Sequence, residues 1–174
     1  MFKGNQLKVN LLIAGLILAG ISTRFFLNIP NFTAIGAIAL FSGAYFTNKR
    51  LSIIFPLVIL LISDIFLGFH NTMPFVYFSF LLIILLGHLL RNRKKYYYIF
   101  GLSIAGSIIF YIISNFGVWL TGMGLSNNIV QVYIDGIPFF RNMIAGDLVF
   151  NSVLFGSAYL VFEKFSLFAS VNEK

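Results

Sequence analysis

The sequence predicts an all-α membrane protein, a single bundle of six transmembrane helices with both termini in the cytoplasm. Three observations predict it. Six apolar runs, at roughly 10–25, 33–47, 51–68, 73–90, 98–120 and 138–162, fill most of a 174-residue chain. Basic residues gather in alternate gaps between those runs, which the positive-inside rule assigns to the cytoplasm. The composition, 59% hydrophobic and 10% charged with a mean hydropathy of +0.94, leaves too little polar surface to cover a soluble domain of this length. Residues 1–174 therefore form one integral membrane domain.

The first run follows Lys3 and Lys8. A cleavable signal peptide needs small residues at its processing site, and near Ala19 and Gly20 the −3 position is Ile17 or Leu18, so this run is read as a retained span. Ala14, Gly15 and Ala19 give it a small-residue face on which a neighbouring helix can approach closely. The second run is short, at about 15 residues, against the ~20 that cross a core ~30 Å thick. It holds Gly36, Ala37, Ala39, Gly43 and Ala44 and needs flanking polar turns to extend it. Lys49 and Arg50 place the start of the third run inside, which sets Asp64 in its outer turns and His70 just beyond. The fourth run returns to the cytoplasm before Arg91, Arg93, Lys94 and Lys95, with His88 one turn from Arg91.

The fifth run opens on Tyr96, Tyr97 and Tyr98, an aromatic belt at the inner interface, and carries Asn115 and Trp119 to the outer end. The connection at 121–137 has Gly122, Gly124 and Gly136 and is long enough for a lid or a short interfacial helix over Asn127 to Asp135. The sixth run carries Arg141, Asn142 and Asp147 in its outer half, and Lys164 and Lys174 follow it on the inside. An odd number of spans would put one strongly basic segment on the wrong side.

Several function classes are excluded or disfavoured. The chain has no cysteine, hence no disulfide, thiolate nucleophile or Cys-held metal. It has no HExxH, GxSxG or Walker lysine motif and no carboxylates paired at helical spacing, so no enzyme, cofactor or metal site is expected. The net charge of +7 sits in short flanks of apolar runs, where anionic headgroups of the bilayer account for it without nucleic acid. No repeat relates the two halves, which removes the usual signature of inverted-repeat transporters.

What remains is an outer cluster of polar groups. Charged side chains within a bilayer cost a few kcal/mol each and face a cavity or an opposite charge. Arg24, Asp64, Arg141 and Asp147 at similar depth therefore predict a polar cavity open to the outside. Asn31, His70, Asn115 and Asn142 would add hydrogen bonds, and Tyr77, Trp119 and Phe139 would stack on a planar group. A structural ion pair of Asp64 with Arg24 or Arg141 fits the same pattern. So does Trp119 as an interfacial anchor.

The stretches Pro30-Asn31-Phe32-Thr33-Ala34-Ile35-Gly36-Ala37, Phe41-Ser42-Gly43-Ala44-Tyr45-Phe46, Ser63-Asp64 with Leu67-Gly68-Phe69-His70, Ser114-Asn115-Phe116-Gly117-Val118-Trp119 and Pro138-Phe139-Phe140-Arg141-Asn142 with Gly146-Asp147 resemble a family of small bacterial membrane proteins of uncharacterised role. The resemblance extends over nearly the whole chain. That family in turn looks like the substrate-binding S components of energy-coupling-factor (ECF) vitamin transporters. The resemblance implies a six-helix protein of the bacterial inner membrane that takes a vitamin from outside and docks, through a small-residue face on its first helix, on a transmembrane coupling subunit with two ATPases. Here Ala14, Gly15 and Ala19 would be that face.

The expectation is a membrane substrate-binding or uptake protein, not an enzyme, with an outward-facing pocket for a water-soluble vitamin. Cobalamin is one candidate, with His70 the one available cobalt ligand. Arg24 and Arg141 would receive an anionic group, oriented by Asp64, Asn115 and Asp147. The alternatives are a self-contained small secondary transporter or channel, which needs a polar path through the inner half, and a structural membrane protein without a ligand.

Overall fold

A computed structural model of the chain describes residues 6–25, 29–92 and 95–160, with side chains described from residue 15 onward. The described residues form six α-helices and no strand, as the apolar runs predict: α1 (Gln6–Phe25), α2 (Ile35–Tyr45), α3 (Lys49–Leu67), α4 (Met73–Leu89), α5 (Tyr96–Leu120) and α6 (Ile129–Ala158). Lys3, Arg93, Lys94, Lys164 and Lys174 lie outside the described residues, as do the side chains of Lys8 and Ala14. Two of these helices, α3 and α5, have both the length and the apolar composition to cross a membrane. The short second run becomes a helix of 11 residues, which rises only about 16 Å.

The helix ends follow from local chemistry. Asn48 caps α3 by accepting hydrogen bonds from the backbone N–H groups of Arg50 and Leu51, and Gly68 at φ 97° ends it in a conformation open to glycine. Pro74 sits in the first turn of α4, where its missing N–H removes nothing. Asn128 caps α6 through Val130 N–H, and Gln131 donates to Asp135 one turn later at 2.7 Å. Those contacts make residues 129–135 the first turns of one continuous 30-residue helix, not the separate lid or interfacial helix that the sequence predicts.

α2 is the axle of the bundle. It touches all five other helices, and every residue from Ile35 to Ala44 is buried. The others form an open ring around it in the order α1, α3, α4, α5, α6, with no α1–α6 packing among the described residues. The closest approach is between α2 and α4. There Gly43 and Gly87 bring bare backbone together: a Cβ on Gly43 would strike Ile84 O, and one on Gly87 would strike Leu40 O.

Apolar side chains form the core of the bundle and also cover much of its outside. The outward faces are apolar, with Ile104, Ile108, Ile112 and Phe116 in a stripe along α5 and Leu51, Ile54, Val58, Leu61 and Ile65 along α3. The inside holds Ser42, Ser52, Ser63, Asp64, Ser79, Ser103, Ser107, Asp147 and Asn151. Buried polar groups need partners, and the bundle supplies them. Pro56 inside α3 cannot bond to the carbonyl of Ser52, and the Ser42 hydroxyl of α2 takes that carbonyl at 2.9 Å instead. Arg91, which reads in sequence as a basic flank, donates from Nε to Gly43 O at 3.0 Å and from Nη2 to Phe46 O at 2.8 Å, closing the C-terminal end of α2.

Candidate functional site

The helix directions collect the ends of α1, α3 and α5 and the starts of α2, α4 and α6 at one pole, opposite the pole that carries Lys49, Arg50, Arg91 and Lys95. A cavity of about 490 Å³ occupies this pole. Arg24, Asn31, His70, Asn115, Phe139 and Asp147 of the sequence-predicted residues line it. Asp64, Tyr77, Trp119, Arg141 and Asn142 do not.

The reasons are specific to each. Asp64 lies behind the wall, 2% exposed, with Oδ1 facing Arg24 Nη2 at 2.7 Å and Oδ2 accepting from the Tyr77 hydroxyl at 2.9 Å. Arg24 also donates from Nη1 to the hydroxyl of Ser63, so the guanidinium is held by α3 on two sides. This ties α1, α3 and α4 together, and it compensates the arginine of the cavity lining. Arg141 is exposed and absent from the lining, and Arg24, which does line the cavity, is already paired with Asp64. Asn142 donates to Pro30 O at 3.1 Å, and Trp119 donates to Asn127 O at 3.1 Å, each tying down a connection rather than facing the cavity.

The floor is different. Asp147 of α6 is 4% exposed, accepts from the Ser107 hydroxyl of α5 at 2.7 Å, and has no cationic partner among the described residues. Gly36 of α2 leaves the room in which its other oxygen lies. The remaining carboxyl in the lining, Asp135, accepts from Gln131 at 2.7 Å. His70 shares a hydrogen with Thr72 at 2.7 Å, Asn115 donates to Tyr111 O at 2.8 Å, and Phe80, Phe110 and Met143 supply apolar walls. With Arg24 paired to Asp64, the cavity is left with two carboxyl groups, Asp147 and Asp135, that have no basic partner among the described residues. Such a floor accepts hydrogen bonds and pairs with a cation.

Sequence reasoning missed Asp135, Ser107 and the groups below them. Ser107 is part of a buried chain: its hydroxyl also reaches Ser103 O at 3.2 Å, and Asn151 donates from Nδ2 to the Ser103 hydroxyl at 2.9 Å. The signal was present as two pairs at i,i+4 spacing, Ser103 with Ser107 and Asp147 with Asn151, on helices joined by a single connection. At the basic pole a second cavity, about 610 Å³, is lined by Tyr45, Lys95, Tyr97, Asn151 and Phe155. The expected docking face is divided: Gly15 is exposed with open space where a Cβ would stand, whereas Ala19 is half-buried against the core. Among the described residues no cluster of His, Asp and Glu is placed to hold a metal ion.

Comparison with known proteins gives one match. The model of a family of unknown function, DUF6580, matches residues 5–170. No curated protein and no solved structure matches the chain.

Proposed function

We propose that this chain, which belongs to the DUF6580 family of unknown function, is a six-span protein of the bacterial inner membrane that binds a small solute from outside for uptake. The observation that carries the reading is the cavity of about 490 Å³ at the pole away from Lys49, Arg50, Arg91 and Lys95, with a buried, uncompensated carboxyl at its floor. Apolar outward stripes on α3 and α5 support residence in a bilayer. Basic residues at the other pole favour a cytoplasmic position for that end and an outward opening for the cavity.

The charge balance shifts the solute class. An amine, an amidine or another cationic or hydrogen-donating group fits Asp147 and Asp135, while Phe110, Phe139 and Met143 cover an apolar or planar part. A water-soluble vitamin with such a group remains the reading under which the protein works as an ECF-type S component docked through α1. The volume falls in the lower half of the range for drug-sized ligands and argues against cobalamin. A second reading, a self-contained secondary transporter, needs polar groups in the inner half and is favoured by the buried Ser103 and Asn151 there, with Asn151 donating to the Ser103 hydroxyl.

Mass spectrometry of small molecules released from the purified protein tests the shared premise. A solute bearing a basic nitrogen should be retained by the wild type and lost from Asp147→Asn. Release of nothing by either protein, or of the same anionic molecule by both, counts against the reading. Gly15→Leu then separates the two readings: it should abolish uptake in cells, with retention intact, only if α1 docks on a coupling subunit.

A further inference from the structure

The outer cavity extends along α6. Val132, Gly136, Phe139, Met143 and Asp147 all line it, and their spacing of three or four residues puts them on one face of that helix. α5 runs antiparallel beside the same face. The Ser107 hydroxyl meets Asp147 at the deep end, the Tyr111 hydroxyl donates to Tyr133 O, and Asn115 stands against Gly136 towards the mouth. Asp135 lines the outer end of this stretch and Asp147 the inner end. Twelve residues of continuous helix separate them, a rise of about 18 Å.

Both carboxyls have acceptor capacity to spare. Asp147 is 4% exposed; its Oδ2 accepts from Ser107, while Oδ1 lies in the space left by Gly36, itself a lining residue, and has no donor among the described residues. A buried carboxyl oxygen without a donor is costly, so it marks a place where a donor belongs. Asp135, half-buried, accepts from the Gln131 amide, which orients a carboxylate without neutralising it. Between the two, α6 offers Phe139 and Met143 and α5 offers Phe110, Ser114 and Val118, none of them charged. Arg24 is paired with Asp64 and serves neither carboxyl.

We propose that the solute is an elongated dication, a chain with an amine at each end. One amine donates to Asp147 Oδ1 at the floor, the other to Asp135 near the mouth, and the apolar middle of the chain lies along Phe110, Phe139 and Met143. The inference rests on the reading that this cavity holds a basic nitrogen, and it narrows that class to molecules with two nitrogens held well apart. A monoamine leaves one carboxyl without its cation. A short diamine cannot reach both. In a long diamine the first contact holds the second amine close to its own carboxylate, so the second charge-assisted hydrogen bond forms within the complex and adds to affinity.

The test is calorimetric titration of the full chain in lipid nanodiscs, with empty nanodiscs as the blank. The probes are linear terminal diamines of four, eight and ten carbons and octylamine, which has the eight-carbon chain and a single amine. One of the two longer diamines should bind at least tenfold more tightly than both octylamine and the four-carbon diamine. Asp135→Asn should erase the advantage of the long diamine over octylamine, and Asp135→Glu, which keeps the charge, should preserve it. The wild-type comparison needs no variant, so it decides the matter even where a variant fails to fold. Octylamine binding as tightly as the best diamine overturns the proposal, as does a full diamine advantage in folded Asp135→Asn. In either case, amine binding by the wild type that is lost in Asp147→Asn leaves the cation-binding pocket standing. Binding of none of the four amines overturns the proposal and that pocket reading together.

Discussion

Gly36 of α2 stands directly against Asp147 of α6, so closely that a Cβ on the glycine would take the place of Oδ1. The buried carboxyl of the cavity floor thus keeps its position because its neighbour has no side chain. In sequence the two residues are far apart and lie in unrelated local patterns. Only the packing of α2 against α6 shows that one depends on the other.

Gly36→Ala should therefore act on the site and on the fold together. Overpacking a tight contact costs about 1–3 kcal/mol, and the carboxyl must swing from its Ser107 partner to relieve it. A lowered unfolding temperature and loss of the retained solute are expected. Normal retention in Gly36→Ala would show that Asp147 has freedom the packing does not indicate.

Removing one side of the Arg24–Asp64 pair should be severe, because it strands a buried charge. Asp64 is 2% exposed. Arg24→Met alone should destabilise by about 3 kcal/mol, whereas Arg24→Met combined with Asp64→Leu should recover much of the loss. Thermal unfolding of the two single variants and the double variant measures the coupling, and strictly additive effects would rule out a paired role.

The α2–α4 crossing should tolerate no side chain. At Gly43 and Gly87 the obstructing atoms are backbone, which cannot rotate away. Gly43→Val should prevent accumulation of folded protein, while Gly15→Val, at a position facing open space, should leave yield unchanged.

Topology is tested by reporter fusions. Fusions after Lys49 and Arg91 should read cytoplasmic and one after Asn127 should read external. An external reading at Arg91 would invalidate the six-span arrangement and the orientation of the cavity with it.

The parts of this structure legible in sequence are those set by one-dimensional patterns. Apolar runs gave the number of helices and most of their ends to within a few residues, because length and hydropathy act locally. The start of α6 was misplaced since Pro138 and the polar residues of 129–135 read as a connection, whereas the Asn128 cap and the Gln131–Asp135 contact carry the helix through them. Polar residues at similar depth pointed to a cavity, and six of the eleven named candidates line one. Which of them compensate each other was not legible. Tyr77 reads as a stacking platform and is instead spent on Asp64, and Arg91 reads as a topology signal and also terminates α2. Those roles depend on tertiary partners distant in the chain, to which periodicity is blind.

The enclosure of α2 has a consequence for biogenesis. A helix that leaves the ribosome second is destined for surroundings of which most, α3 to α6, have not yet been made. In a bilayer its 11 residues also fall well short of the far side, so its end groups would meet hydrocarbon if it had to wait there alone. Its final seat exists only once α6 has emerged, which makes assembly around α2 a late, all-or-none event. Chains truncated after α3 should accordingly be recognised as incomplete and degraded.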